Sequence, residues 1–196
     1  MVVGALICLT HHSKGTAPKV NMKNDDLRKL NFRNWPLSDE YLVEIGRVSA
    51  LWASLESLLD LCIGKLAGFD DLSNPSAFIL INHSSFPQRL DILSTFCEQF
   101  HHERKNLKEY KIVVSKLRAA QKLRNKYAHN GMSLNPDTNQ VEMPIGSARG
   151  SLKVTVETVD VADIRRAVIS IDEAQCALYK LVLGIDLAPV WKRRNA

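Results

Sequence analysis

Residues 39–67 decide the fold: they read DEYLVEIGRVSALWASLESLLDLCIGKLA and carry the clearest helical pattern of the chain. Apolar side chains recur there at alternating steps of three and four, which places them on one helix face. The members of this stripe are Ile45, Val48, Trp52, Leu55, Leu59, Cys62 and Leu66. Ser38 suits the N-cap and Gly68 the stop, so we predict one long helix that forms a wall of a bundle.

Three more helices show the same periodicity. The second is predicted over about residues 87–104, the third over about 107–129, and the last after Asp160, which suits its N-cap. Asn130-Gly131 is expected to end the third helix as a left-handed cap. The inward stripes are Leu90, Leu93, Cys97 and Phe100; Tyr110, Val113, Val114, Leu117 and Ala120; and Val161, Ile164, Val168, Ile171, Leu178 and Val182.

Between the third helix and the last, the pattern changes to the alternation typical of strands. Leu152, Val154 and Val156 alternate with polar neighbours, which predicts a half-buried hairpin at about residues 140–158. Only a short helical turn, near residues 78–81, is expected in the connector between the first two helices. The predicted fold class is therefore mainly α: a helical bundle of four main helices with a small β-hairpin inserted before the last helix.

The 196 residues fit one domain with short appendages. We expect an N-terminal leader over residues 1–36, flexible at least to residue 21. The helical domain is expected over residues 37–188, followed by a basic tail over 189–196 that is frayed from Trp191 to Ala196.

The N-terminus does not resemble a targeting segment. Its apolar run is short and lacks both a preceding basic residue and a cleavage site, and Met22 is an alternative to Met1 as the natural start. No other run approaches the roughly 18 apolar residues of a membrane span. The four cysteines are too far apart for a C-x-x-C pair. These features favour a soluble cytoplasmic protein, without membrane contact, whose cysteines are core residues.

The charge of the chain is concentrated on the third helix. Between Glu103 and Lys126, nine basic residues oppose two acidic ones, so this segment alone exceeds the net charge of +5 of the whole chain. Such a helix attracts a polyanion by neutralising phosphates, although for the lysines alone a solvated face is the simpler interpretation. The candidate RNA contacts are Lys116, Arg118, Lys122 and Lys126.

Arg124 interrupts the apolar stripe of the third helix. It lies four residues beyond Ala120, and an arginine in a buried stripe needs a partner or a wet cleft. Glu56 on the first helix is the expected partner, because it lies beside Trp52 and Leu55. A buried Arg124–Glu56 ion pair without catalytic meaning is the structural alternative.

Residues 124–129 read RNKYAH and supply a guanidinium, an amide and an imidazole. An imidazole exchanges protons near neutral pH, and a guanidinium binds phosphate oxygens in pairs. RNA supplies its own nucleophile, the 2′-hydroxyl, so the chemistry needs no metal and no cofactor. On an ideal helix, five residue steps place Arg124 and His129 roughly 140° apart. They should converge only if the helix unwinds at its end or if two copies meet at a two-fold axis, so the spacing favours a dimer.

Arg124-Asn125-x-x-x-His129 at the end of a helix resembles the arginine–x(4–6)–histidine signature of HEPN domains, in which a polar residue often follows the arginine. The resemblance implies a metal-independent endoribonuclease, a hydrolase that acts as a homodimer with a composite site. Its products are a 2′,3′-cyclic phosphate and a 5′-hydroxyl. Arg124 and His129 would be catalytic, as phosphate stabiliser and proton-transfer group, and Asn125 would support them. Glu56 and Tyr127 are candidate supporting residues, with base stacking and core packing both open for Tyr127.

The resemblance also covers the order of the elements. A long first helix with Leu51-Trp52 and Leu55-Glu56, a connector, a second helix and the motif at the end of the third match the layout of the family over roughly residues 37–131. The predicted hairpin is not part of that layout. The implied setting is a toxin–antitoxin or antiviral defence system, with RNA as substrate and an antitoxin protein or nucleotidyltransferase as a further partner.

A catalytically silent HEPN-like interaction or RNA-binding subunit is the strongest alternative, because the fold does not establish activity. Loss of His129 separates the two, since only an enzyme should depend on it. A zinc enzyme is disfavoured because His101-His102-Glu103 lacks the i, i+4 spacing of a zinc helix. A serine hydrolase is disfavoured because the sequence has no G-x-S-x-G elbow. A helix-turn-helix regulator is disfavoured because the sequence has no short glycine turn before the third helix, which is also too long for a recognition helix.

Overall fold

A computed structural model describes residues 35–69, 75–147 and 150–193, apart from the side chains of Pro75, Ala77 and Phe78. The predicted leader lies outside these residues except for its last two positions, and Met22 lies outside them as well. Residues 36–193 belong to one compact unit. Its helices are α1 (Asp39–Leu66), α2 (Pro75–Ile81), α3 (Phe86–Phe100), α4 (Tyr110–His129) and α5 (Val161–Leu183), with 3-10 turns at Lys105–Glu109 and Val190–Lys192.

The predicted fold class is confirmed, because the described chain is mainly helical and a small antiparallel sheet precedes the last helix. The main helices α1, α3, α4 and α5 build the bundle; α1 packs most extensively on α5, which also packs on α4. Leu59, Leu117 and Leu178, one from each of these three helices, are fully buried. Burial of one such leucine contributes about 1.5–3 kcal/mol to the free energy of folding. The predicted apolar stripes therefore pack α4 firmly against its neighbours.

Two of the predicted helix caps are present in the structure, and one is not. Gly68 has a φ of 88°, the left-handed conformation predicted to stop α1, and Asp160 caps α5 with its side chain. At the end of α4, Asn130 is extended, and its side-chain amide donates to the Lys126 carbonyl at 2.8 Å. This bond satisfies a terminal carbonyl that a left-handed cap would otherwise satisfy, so the predicted cap is wrong.

Three strands form the sheet in the order β1-β2-β3, one strand more than predicted. They are β1 (Ser133–Asn135), β2 (Gln140–Ser147) and β3 (Lys153–Thr158), paired antiparallel. Met143 of β2 is fully buried and pairs with Glu157, whereas Pro144 pairs with Val156 on the opposite face.

The apolar side of β3 faces solvent, which corrects the prediction of a half-buried strand. Val154 and Val156 are 59% and 61% exposed, and Leu152 before them is 78% exposed. The register with β2 is the cause. It places the polar residues of β3 on the face that carries Met143, and the valines therefore point away from the core.

The C-terminal segment is docked as far as Arg193, so the predicted fraying of the tail is wrong for these residues. The Val190 amide donates to Asp172 Oδ2 at 2.9 Å, and the Arg193 guanidinium lies 3.6 Å from Asp172 Oδ1. Asp172 is fully buried on α5. A buried carboxylate is costly without partners, and the tail supplies them.

Candidate functional site at the end of α4

The predicted motif lies in the last turns of α4, at an end that is open to solvent. His129 is the last residue of the helix; His129 and Asn125 are exposed, and Arg124 is half-buried. Arg124 Nη1 lies 2.7 Å from His129 Nε2 and 3.0 Å from Asn125 Oδ1. A single guanidinium nitrogen therefore joins the three predicted site residues into one cluster.

The convergence of Arg124 and His129 within one chain corrects the prediction that a helix keeps them apart. α4 stays helical through His129, so unwinding is not required. Five residues rise only about 7.5 Å along a helix axis, and helical side chains lean toward the preceding turn. The long arginine side chain covers the remaining distance. The spacing therefore gives no argument for a second copy of the chain.

The contact between these two side chains has one possible donor. A guanidinium only donates hydrogen bonds, so His129 Nε2 is the acceptor in this contact. Asn125 and His129 engage two of the five N–H groups of Arg124. No described residue accepts a hydrogen bond from Nε or Nη2. That edge of the guanidinium has the geometry for bidentate contact with a phosphate.

Trp52 supports the guanidinium in place of the predicted Glu56. Arg124 Cζ lies 5.4 Å from the centre of the Trp52 ring, a cation–π contact worth about 0.5–2 kcal/mol. Within the described ranges, no hydrogen bond or ion pair joins Glu56 to Arg124, so the expected ion pair is wrong. Glu56 lies one turn further along α1, near Asp60. Burial raises the pKa of Asp60, and the Arg89 guanidinium partly offsets that rise. The negative charge of Glu56 raises the pKa of Asp60 further.

The two inner residues of the motif make structural contacts. Lys126 Nζ lies 2.6 Å from Glu157 Oε2 of β3, and this hydrogen bond raises the pKa of the lysine. Tyr127 is 5% exposed, and burial raises the pKa of its phenol. Its ring is therefore part of the core and is not open to stacking on a base.

A polar stripe runs along α4 and ends at His129. Its members follow one another at steps of three and four, and all are exposed. They are Lys111, Ser115, Arg118, Lys122, Asn125 and His129. Arg118 pairs with Asp91 of α3 at 2.8 Å, an exposed ion pair of little net worth that a phosphate can displace. Lys122 has no acidic partner among the residues that the structure describes.

The four predicted RNA contacts do not share one face. Arg118, Lys122 and Lys126 lie on the side of α4 that carries His129. Lys116 lies roughly 140° around the helix from His129, on its flank. A strand of RNA that follows the polar stripe to His129 would therefore meet Arg118 and Lys122 and pass beside Lys126, which is held by Glu157, but it would miss Lys116.

Other chemistries find little support in the described ranges. No three His, Cys, Asp or Glu side chains converge there to hold a metal ion. Burial raises the pKa of Cys62 to about 12 and that of Cys97 to about 11, so neither forms the thiolate that a nucleophile needs. No helix among these residues is both long and apolar enough to cross a bilayer.

Comparisons with known proteins add nothing to the site. Comparison of the chain with protein-family models, with curated proteins and with solved structures finds no match.

Three contacts of the site region were missing from the sequence prediction: Trp52 under Arg124, and Asp91 and Glu157 against the basic helix. For Trp52 a signal existed, because it lies on the inward stripe of α1 and Arg124 lies on the inward stripe of α4. The two acids come from elements far away in sequence, and their spacing carries no such signal.

Proposed function

We propose that the chain is a metal-independent endoribonuclease whose catalytic residues are Arg124 and His129, supported by Asn125. One observation carries the proposal: at the solvent-exposed end of a basic helix, the Arg124 guanidinium lies 2.7 Å from His129 Nε2. A proton acceptor and a phosphate ligand are thus together in one place. The resemblance of the motif to HEPN domains leads to the same reaction.

In this reaction the 2′-oxygen of a ribose forms a bond to the adjacent phosphorus, and the bond from phosphorus to the 5′-oxygen breaks. His129 takes the proton of the 2′-hydroxyl, and the departing 5′-oxygen receives a proton from a protonated imidazole, that of His129 in a second copy. The products are a 2′,3′-cyclic phosphate and a 5′-hydroxyl. Arg124 stabilises the charge on the non-bridging oxygens through its Nε and Nη2 edge.

His129 and Arg124 must exchange partners when RNA binds, because the lone pair of Nε2 accepts a proton of Arg124 in the structure. A phosphodiester group is a stronger acceptor for a guanidinium than a neutral imidazole. When the phosphate binds the Nε and Nη2 edge, it shifts the whole guanidinium, so Nη1 leaves Nε2 and Nε2 becomes available for the 2′-hydroxyl. Asn125 Oδ1 also accepts from Nη1 and keeps the guanidinium near the site. The substrate itself therefore releases the base.

A homodimer belongs to the proposal for a chemical reason. The attacking and leaving oxygens lie on opposite sides of the phosphorus in an in-line displacement, so one imidazole does not reach both at once. A second copy would supply the acid from its own His129. We place this nuclease in the cytoplasm as a toxin or antiphage effector that an antitoxin protein or nucleotidyltransferase controls.

The proposal is tested by incubating the protein in EDTA with an end-labelled RNA that contains a stem and a loop. We expect cuts in the single-stranded loop, with 2′,3′-cyclic phosphate and 5′-hydroxyl ends, because neither bond change needs a metal. The same RNA with a 2′-deoxy residue at the mapped position is the control and should not be cut there. A requirement for added metal, or 5′-phosphate products, would contradict the mechanism. RNA binding without cleavage would favour the catalytically silent subunit.

Lys122→Gln should weaken RNA binding, whereas Lys116→Gln should not. Both changes remove one exposed charge from α4, but only Lys122 lies on the stripe that ends at His129. For Lys122→Gln, the slope of log affinity against log salt should decrease by about 0.7, the value for one phosphate contact of a single strand. Fluorescence anisotropy with an uncleavable 2′-O-methyl RNA at several salt concentrations measures this slope. Equal losses in both variants would mean that binding is not directed along the stripe.

A further inference from the structure

β3 is an exposed edge of the sheet. It is the outermost strand in the order β1-β2-β3, and all six of its residues are exposed. An edge strand presents backbone N–H and C=O groups that pair readily with another strand. Proteins commonly protect such edges with a proline, a bulge, a very short strand or charged side chains. β3 contains no proline, its register with β2 runs without a bulge, and its two charged residues, Lys153 and Glu157, have opposite signs.

The sequence of β3 is complementary to itself in the opposite direction. Its first five residues read KVTVE. If two copies pair antiparallel around Thr155, Lys153 of each lies opposite Glu157 of the other, and Val154 lies opposite Val156. Opposite charges and facing β-branched side chains are both favourable cross-strand pairs. Centring the pairing on Val154 or Val156 instead would remove both ion pairs, so the charges select a single register.

We infer that β3 pairs with the β3 strand of a second copy of this chain, which joins the two sheets into one continuous sheet. The same patch contributes from both copies, around a two-fold axis at Thr155. The pairing accounts for Val154 and Val156, which are exposed in the single chain and become cross-strand neighbours in the pair. The inference deepens the homodimer part of the proposed function and does not depend on cleavage.

The pairing brings the two candidate sites toward each other. Glu157, which faces Lys153 of the second copy, also holds Lys126 of the α4 motif at 2.6 Å. The two Glu157 residues would lie four strand positions apart, about 13 Å along the strands. A two-fold axis perpendicular to a sheet keeps equivalent faces on the same side, so both bundles lie on one side of the joined sheet. The motif ends of both α4 helices then lie near the interface, as a composite site requires.

Charge reversal in β3 tests both the surface and the register. Lys153→Glu sets acid against acid at both ends of the pairing, and Glu157→Lys sets base against base. Each variant should weaken self-association about tenfold or more, measured by analytical ultracentrifugation of the full chain. An equimolar mixture of the two variants restores opposite charges at both ends. It should form heterodimers more tightly than either variant associates with itself, because only the mixture pairs opposite charges across the interface.

Three further variants test the effect of charge alone and the position of the axis. Lys108→Glu makes the same charge change at an exposed position of the 3-10 turn and should leave self-association unchanged. Thr155→Cys should form a disulfide between two copies on oxidation, because the axis places the two side chains opposite each other, and Thr155→Ser should not.

A monomeric wild type, single variants that dimerise as well as the wild type, or a mixture that does not recover would each overturn the inference. A dimer that passes these tests but cuts no RNA would contradict the proposed function alone. The two ideas therefore fail separately.

Discussion

Replacement of His129 by alanine should lower the rate of RNA cleavage about 10²- to 10⁴-fold, the range for loss of a general base. In the proposed reaction this imidazole takes the proton of the 2′-hydroxyl, and no other described histidine contacts Arg124. The rate should be measured in EDTA under single-turnover conditions, so that product release does not mask the chemical step.

Two more variants separate proton transfer from a structural role. His129→Gln keeps an oxygen that can accept the hydrogen bond from Arg124 but cannot carry a proton, so its rate should fall as far as that of the alanine variant. His83→Ala removes an exposed imidazole elsewhere and should leave the rate unchanged. Cleavage at the wild-type rate by a folded His129→Ala protein would exclude His129 as the base. If His129→Gln cleaves RNA and His129→Ala does not, His129 would be a positioning residue and not the base.

The helical bundle was predictable because its signal is local. Leu59, Leu117 and Leu178 were assigned to the core by spacing alone, and all three are fully buried. A helix turns every 3.6 residues, so an apolar stripe defines the one face that must be covered. The tertiary structure decides which neighbouring helix packs on the stripe, but the residues that form the stripe are fixed by the local sequence.

β3 shows where periodicity stops being sufficient. Alternation states that the two faces of a strand differ, but the register with the neighbouring strand decides which face meets the core. Met143 of β2 is buried and pairs with Glu157, so the polar face of β3 turns inward and Val154 and Val156 turn outward. That register depends on tertiary packing, which the sequence of β3 alone does not contain.

The site shows a second limit. The residues of the cluster were identified from the sequence, but its contacts were not, because the helical angle between Arg124 and His129 describes backbone positions. A long side chain reaches well beyond its own position on the helix, and Arg124 bridges the gap. Its support by Trp52 rather than Glu56 depends on how α1 is rotated against α4. Rotation about a helix axis is a property of the packed bundle.

Replacement of Arg124 by lysine should reduce cleavage about 10²- to 10³-fold although the positive charge is kept, as for loss of one oxyanion donor. A lysine has one nitrogen and cannot hold a phosphate through two N–H groups while it also contacts Asn125. RNA affinity should change much less, because phosphate neutralisation depends mainly on charge. The measurement pairs the single-turnover rate at saturating RNA with the Kd for an uncleavable 2′-O-methyl RNA.

Arg104→Lys is the matched control, because it is the same substitution at an exposed arginine that also lies over an aromatic ring, that of Phe100, but outside the stripe of α4. It should leave rate and affinity unchanged. The stability of Arg124→Lys should be measured separately, because Arg124 lies over the Trp52 ring. A lysine can keep a cation–π contact with that ring, so the urea midpoint of unfolding should shift little. If Arg124→Lys cuts as fast as the wild type, one charge suffices and the guanidinium serves its contact with Trp52. If the cleavage rate falls while RNA affinity and the urea midpoint stay at their wild-type values, the bidentate contact of Arg124 with the phosphate is made only in the transition state.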